Sequence, residues 1–185
     1  MDSIDLILTI DKILDLGIAP DLDSGDATMD EDSRCLQILS CSNFVLEQLY
    51  REYASYVRKT VVEAVKGLID TSALKLCKVF ALTNSSGAKV PFTYTSQGLA
   101  VQTDGRYNLT YAKLPQEIVQ GEEEIIMPSP KITIRMFIYG VCAEYLYRIC
   151  DYTRSASYEE KFKSALTVAS MSRNNCVMPV RRWLL

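Results

Sequence analysis

Between Pro130 and Met171 the apolar positions fall at helical spacing twice. Over Lys131–Cys150, Ile134, Phe137, Ile138, Val141, Cys142, Tyr145 and Ile149 recur every three or four residues, which places them on one helical face. Met136, Ala143, Leu146 and Tyr147 add apolar flanks, so this helix is expected to be covered on most sides and to centre the core. A break is expected over Asp151–Ser157. A second amphipathic helix then opens with Ser157-Tyr158-Glu159-Glu160, a capping-box pattern, and offers Tyr158, Phe162, Ala165, Leu166 and Ala169 as its buried face.

The N-terminal part is also helical in pattern. Ser3–Leu16 places Leu6, Ile10, Ile13 and Leu14 on one face, and Gly17 with Pro20 supplies its stop. Asp21–Ser33 reads as an acidic connector. From about Asp32 to Ser55, Leu36, Leu39, Asn43, Leu46, Tyr50 and Tyr53 form a stripe, widened by Cys35, Val45 and Leu49. Residues 56–66 fit either a continued helix or, from their β-branched content, a strand starting near Lys59.

The middle of the chain changes period. Lys75–Thr83, Lys89–Tyr94, Leu99–Thr103 and Tyr107–Tyr111 are short β-rich runs. They are separated by Asn84-Ser85-Ser86-Gly87, Thr95-Ser96-Gln97-Gly98 and Asp104-Gly105, all turn sequences. Phe92 and Tyr94, Leu99 and Val101, and Tyr107, Leu109 and Tyr111 alternate with polar residues, which predicts a meander of antiparallel hairpins with one buried face. Leu114-Pro115 closes the sheet. The fold class that follows is α+β: a helical bundle built from N- and C-terminal helices, with a small antiparallel β-sheet subdomain inserted. One domain is expected, with bundle helices over 3–58 and 131–171, a β subdomain over 59–115 and a C-terminal tail over 172–185.

Composition narrows what such a domain can do. The chain has 185 residues, 48% hydrophobic and 23% charged, which suits one folded domain with a real core. A net charge of −3 argues against a chain whose main task is gripping phosphates. There is no histidine, which removes the commonest general base and any Ser/His or Cys/His nucleophile pair. The six cysteines include no C-x-x-C pair. Cys35, Cys77, Cys142 and Cys150 lie among apolar residues and read as reduced core thiols. Asp21-x-Asp23 with Gly25 misplaces the glycine of a calcium loop, and Asp32 stands where that loop needs Glu. The run Glu122-Glu123-Glu124 reads as a solvated acidic loop. No catalytic, cofactor-binding or metal-ligating residue is assigned, and no cofactor is expected.

Asp2, Asp5 and Asp11 interrupt the N-terminus, which lacks a signal-peptide pattern. The apolar run at 132–150 carries Arg135, Glu144 and Arg148. Central charges cost roughly 2.5–3.5 kcal/mol each on insertion scales, so a core helix is expected and no membrane partner. Two features point to interfaces. Glu144 and Arg148 stand one helical turn apart, as an intrahelical pair or as contacts to a neighbouring subunit. The tail Arg181-Arg182-Trp183-Leu184-Leu185 joins cationic residues to the sole tryptophan, the composition of interface anchors.

Three stretches carry a family resemblance. They are Val90-Pro91-Phe92-Thr93-Tyr94 with Asp104-Gly105-Arg106-Tyr107-Asn108-Leu109-Thr110-Tyr111-Ala112-Lys113-Leu114-Pro115; Tyr139-Gly140-Val141-Cys142-Ala143-Glu144-Tyr145 with Tyr158-Glu159-Glu160-Lys161-Phe162-Lys163-Ser164-Ala165-Leu166; and Met178-Pro179-Val180-Arg181-Arg182-Trp183-Leu184. In these the chain resembles the head–tail connector (adaptor) proteins of tailed bacteriophages, including tail tubular A-like neck ring proteins. The resemblance implies a virion protein, assembled in the host cytoplasm, that forms a homo-oligomeric ring, commonly of twelve copies. Its partners would be the portal protein and the tail or further neck ring proteins, with genomic DNA passing through the lumen without sequence-specific binding. It implies no enzyme activity. The alternative is a non-viral helical adaptor that docks through its Arg181-Arg182-Trp183 tail.

Overall fold

The computed structural model describes residues 1–18, 29–53, 55–119 and 124–171. Helix α1 (Ser3–Leu14) starts where the Asp2 carboxylate accepts a hydrogen bond from the Asp5 amide at 2.7 Å. It ends at Asp15, in the left-handed conformation. Leu6, Ile7, Ile10 and Leu14 are buried, whereas Ile13 is exposed, so the inward face lies one position round from that expected. Helix α2 (Met29–Gln48) is corrected in the same sense. Leu36 is 63% exposed, and Cys35, Ile38, Leu39, Cys41, Val45 and Leu46 form the buried face. The helix closes with a π turn, Leu49–Tyr53, which leaves Leu49 and Tyr50 inside and Tyr53 outside.

The strand that follows begins at Tyr56, not near Lys59, so the bundle gives way to β structure before residue 58. The sheet is not a meander. Strands β1 (Tyr56–Ala64), β3 (Leu76–Thr83) and β6 (Gly105–Lys113) form one antiparallel sheet in the order β1-β6-β3. Strands β2 (Leu68–Asp70), β4 (Thr93–Thr95) and β5 (Gly98–Ala100) form a second in the order β2-β5-β4. The last long strand therefore runs between the first and third. Its alternating Tyr107, Leu109 and Tyr111 can then be covered from both sides, and all three are buried. Lys89–Tyr94 contributes one isolated bridge at Lys89 and the start of β4, and Tyr94 is exposed. Lys66 and Gly67 both take positive φ, 54° and 72°, the geometry of a two-residue turn joining β1 to β2. Gly98 is required as glycine: its φ is +142°, and a Cβ there would stand 2.1 Å from the Ile69 carbonyl oxygen.

Helix α3 (Ile134–Arg148) is the centre of the bundle, capped by the Thr133 hydroxyl, which accepts from the Met136 amide. Phe137, Val141, Cys142 and Leu146 are wholly buried, and each large apolar side chain contributes about 1.5–3 kcal/mol by leaving water. Ile149 and Tyr147 are exposed, so the apolar stripe stops before the helix does. The break that follows is shorter than expected. Cys150 turns the chain with φ 64°, the Asp151 carboxylate accepts from the Arg154 amide, and helix α4 (Tyr152–Met171) begins at once. Ser157 is thus inside the helix and caps nothing. Ser155, two residues earlier, is buried and donates its hydroxyl to the Ala143 carbonyl, tying α4 to α3.

Side chains from α1, α2, α3 and α4 share one core, and the β region has its own, built on Ile69, Leu82, Leu99 and Leu109. The architecture is α+β, with helices from both ends of the chain flanking a β region. Among the described residues no helix is long and apolar enough to cross a membrane.

Candidate functional site

Gly140 lets α3 approach both neighbours: a Cβ there would stand 2.8 Å from Val45 Cγ1 and 3.1 Å from Phe162 Cε2. Above that contact a groove of about 290 Å³ runs between α2 and α4, with Phe44, Gln48, Tyr53, Ala143, Tyr147 and Phe162 among its lining. Phe44 and Tyr147 are more than half exposed. Large aromatic side chains held open at a helix groove are the composition of a protein-docking surface.

Ion pairs rim this groove. On α3, Arg148 Nε lies 2.7 Å from Glu144 Oε1, so the expected intrahelical pair forms. The same guanidinium donates to the Ser40 hydroxyl at 2.9 Å and lies 6.0 Å from the Phe44 ring centroid, which links α3 to α2. The Glu144 hydrogen bond raises the affinity of Arg148 for its proton, outweighing slight burial. On α4, Lys163 and Glu159 form the opposite rim, 2.5 Å apart. Across the α3–α4 turn, Tyr147 and Tyr152 meet edge-on at 5.6 Å and stay exposed.

The cysteines separate into two kinds. Burial pushes the Cys41 thiol up to about 11 and the Cys142 thiol up to about 12, so both stay protonated and unreactive at neutral pH. Cys35 is buried as expected, but Cys77 is half-buried and Cys150 is exposed at the α3–α4 turn. Among the described residues no three His, Cys, Asp or Glu side chains converge on a metal-holding cluster. Arg181, Arg182 and Trp183 lie outside the described residues, as do Cys176, Asp21, Asp23 and Asp26 and the acidic positions Glu122 and Glu123.

One structural residue was hidden by its place in an apolar stripe. Asn43, spaced like a core position, instead donates to the Ile118 carbonyl at 2.9 Å and accepts from the Ile118 amide at 2.7 Å. It pins the strand-to-helix connection to α2, helped by the Tyr50 hydroxyl donating to the Ile126 carbonyl at 3.0 Å. The polarity of Asn43 within the stripe was the available signal. No family model matches the chain, and no curated protein matches it.

Proposed function

We propose that the chain is a structural subunit of an oligomeric ring that joins a phage portal to the tail and lets DNA pass. The observation that carries this reading is the open aromatic groove between α2 and α4, rimmed by Glu144–Arg148 and Glu159–Lys163. A face of that kind suits a neighbouring subunit's side chains, and a head-to-tail contact repeated around an axis closes a ring. The net charge of −3 suits a channel wall that must not hold phosphate. The resemblance of the sequence to head–tail connectors supplies the portal and tail as partners, twelve as the copy number and the virion neck as the location. In this reading the protein works by assembly and carries no chemistry of its own.

The test is assembly on a portal. The purified chain mixed with its portal should give closed rings by negative-stain imaging and a multiple of the chain mass in native mass spectrometry. A chain that stays free of the portal and forms no ring overturns the reading. An Arg181→Ala, Arg182→Ala, Trp183→Ala variant that still assembles would remove the tail from the contact.

A further inference from the structure

The groove between α2 and α4 continues toward the end of α4. Tyr53 borders it and meets Phe162 edge-on at 6.4 Å. The same ring lines a smaller hollow of about 70 Å³ together with Ile132, Leu166 and Ala169. Helix α4 ends at Met171, so aromatic and apolar side chains lead from the groove to the point where the chain leaves the helix.

Size and charge describe what fits the groove. Its volume of about 290 Å³ falls just under the roughly 300–1,000 Å³ of clefts that hold drug-sized molecules, which suits one large side chain. Its charged lining is unbalanced, with two carboxylates from Glu144 and Glu159 against one ammonium from Lys163. The Glu159 side chain is 52% exposed even while paired with Lys163, so its oxygens keep room for a further donor. The fitting occupant is an aromatic side chain with cations beside it.

The sequence that follows α4 carries such a segment, Arg181-Arg182-Trp183-Leu184-Leu185, with the sole tryptophan. Phe162 lies nine residues before Met171, about 14 Å back along the helix at 1.5 Å per residue. Trp183 lies twelve residues after Met171, and extended chain of that length reaches about 40 Å. Asn174-Asn175 supplies turn-forming residues for the reversal. A tethered segment meets the groove at an effective concentration on the order of millimolar, which favours the chain's own groove over that of a second copy.

We propose that residues 181–185 fold back along α4 into the groove of their own chain. Trp183 packs against Phe44, Tyr53 and Phe162, and Arg181 and Arg182 turn toward Glu144 and Glu159. The seated segment covers the face that the proposed ring gives to a neighbouring subunit, so a subunit joins a ring only as its tail is displaced. That consequence rests on the ring reading. The seating itself does not, and its test needs no portal.

Because Trp183 is the only tryptophan, its fluorescence in the full chain reports the seating directly. In the unaltered protein it should emit to the blue of the urea-unfolded chain and be quenched by acrylamide several-fold less. Both readings should hold unchanged over a concentration series. A Phe44→Ala, Tyr147→Ala variant should shift the emission to the red and bring quenching close to that of the unfolded chain. A Glu144→Lys, Glu159→Lys variant should do the same most strongly at low salt. All four positions lie on the groove wall or rim, and unchanged circular dichroism separates release of the tail from loss of folding. An open, readily quenched tryptophan in the unaltered protein overturns the inference and leaves the ring reading standing. Shielding that appears only at high concentration assigns the segment to a second copy, and shielding indifferent to both variants seats it elsewhere; either result overturns it too.

Discussion

Asn43 and the Ile118 peptide satisfy each other completely, the side-chain amide donating to the carbonyl at 2.9 Å and accepting from the N–H at 2.7 Å. The site is half-buried, so water does not readily replace a lost partner. Asn43→Ala should therefore cost about 1–3 kcal/mol in urea denaturation, since it strands a peptide donor and acceptor together. Asn43→Asp keeps the acceptor for the Ile118 amide and should cost less than the alanine variant. Equal stability for all three proteins would show that the connection is not held there.

Gly140 stands where α3 touches α2 and α4 at once, and its effect on stability has two opposing parts. Alanine gains about 1 kcal/mol of helix propensity over glycine. Its Cβ would, however, stand 2.8 Å from Val45 Cγ1 and 3.1 Å from the Phe162 ring. Overpacking of that kind costs about 1–3 kcal/mol, so Gly140→Ala should destabilise on balance. A Val45→Ala partner removes the crowded methyl groups. The double variant should be less destabilised than the two single changes added together, by about 0.5–3 kcal/mol of coupling in thermal or urea melts.

The buried thiols make the fold sensitive to alkali. Cys41 and Cys142 have folded-state values raised from 9.0 to about 11 and about 12 by burial, with Arg148 and Arg154 respectively opposing the rise. The native state then holds protons that the unfolded chain releases. The stabilisation is fully present below about pH 9 and is lost as pH rises toward 11 and 12. Urea midpoints should fall over that window and fall less in a Cys41→Ala, Cys142→Ala variant, once its lower starting stability is subtracted. At pH 8, peptide mapping after brief alkylation should find Cys150 modified and Cys41 and Cys142 intact, because Cys150 is exposed at the α3–α4 turn and the other two thiols are buried.

How much of this was legible in the sequence depended on the range of the forces concerned. The existence and order of the four helices, and the alternation of Tyr107, Leu109 and Tyr111, follow from local periodicity and were readable. The exact inward face was not: Leu36 and Ile13 are as apolar as Ile38 and Ile7, and only the position of the neighbouring helices decides which is covered. The α4 start was misplaced because Ser157-Tyr158-Glu159-Glu160 satisfies the capping pattern. The helix instead starts six residues earlier, where the Asp151 carboxylate accepts from the Arg154 amide without a capping box, after a turn at Cys150 that no local rule announces. Strand order was hidden for a related reason. Hairpin sequences such as Thr95-Ser96-Gln97-Gly98 report neighbours in sequence, whereas β6 pairs with β1 and β3 across the whole β region. The Glu144–Arg148 pair was readable from its four-residue spacing. Its extension to Ser40 and Phe44 was not, because those residues come from a different helix.

That extension makes Arg148 a sharp probe of whether the groove rim serves folding or assembly. Its side chain is a third exposed and its ion pair with Glu144 is partly open to water, a setting in which such pairs contribute about 0–1 kcal/mol. Arg148→Ala should accordingly leave the melting curve nearly unchanged. Arg148→Lys should do the same for stability while losing the planar fork that serves Glu144 and Ser40 together. If the rim packs against another subunit, both variants should reduce ring formation on the portal far more than they reduce stability, with the lysine variant intermediate. A parallel loss of stability and assembly would assign Arg148 to the fold, and unchanged assembly at unchanged stability would take the Glu144–Arg148 rim out of the contact.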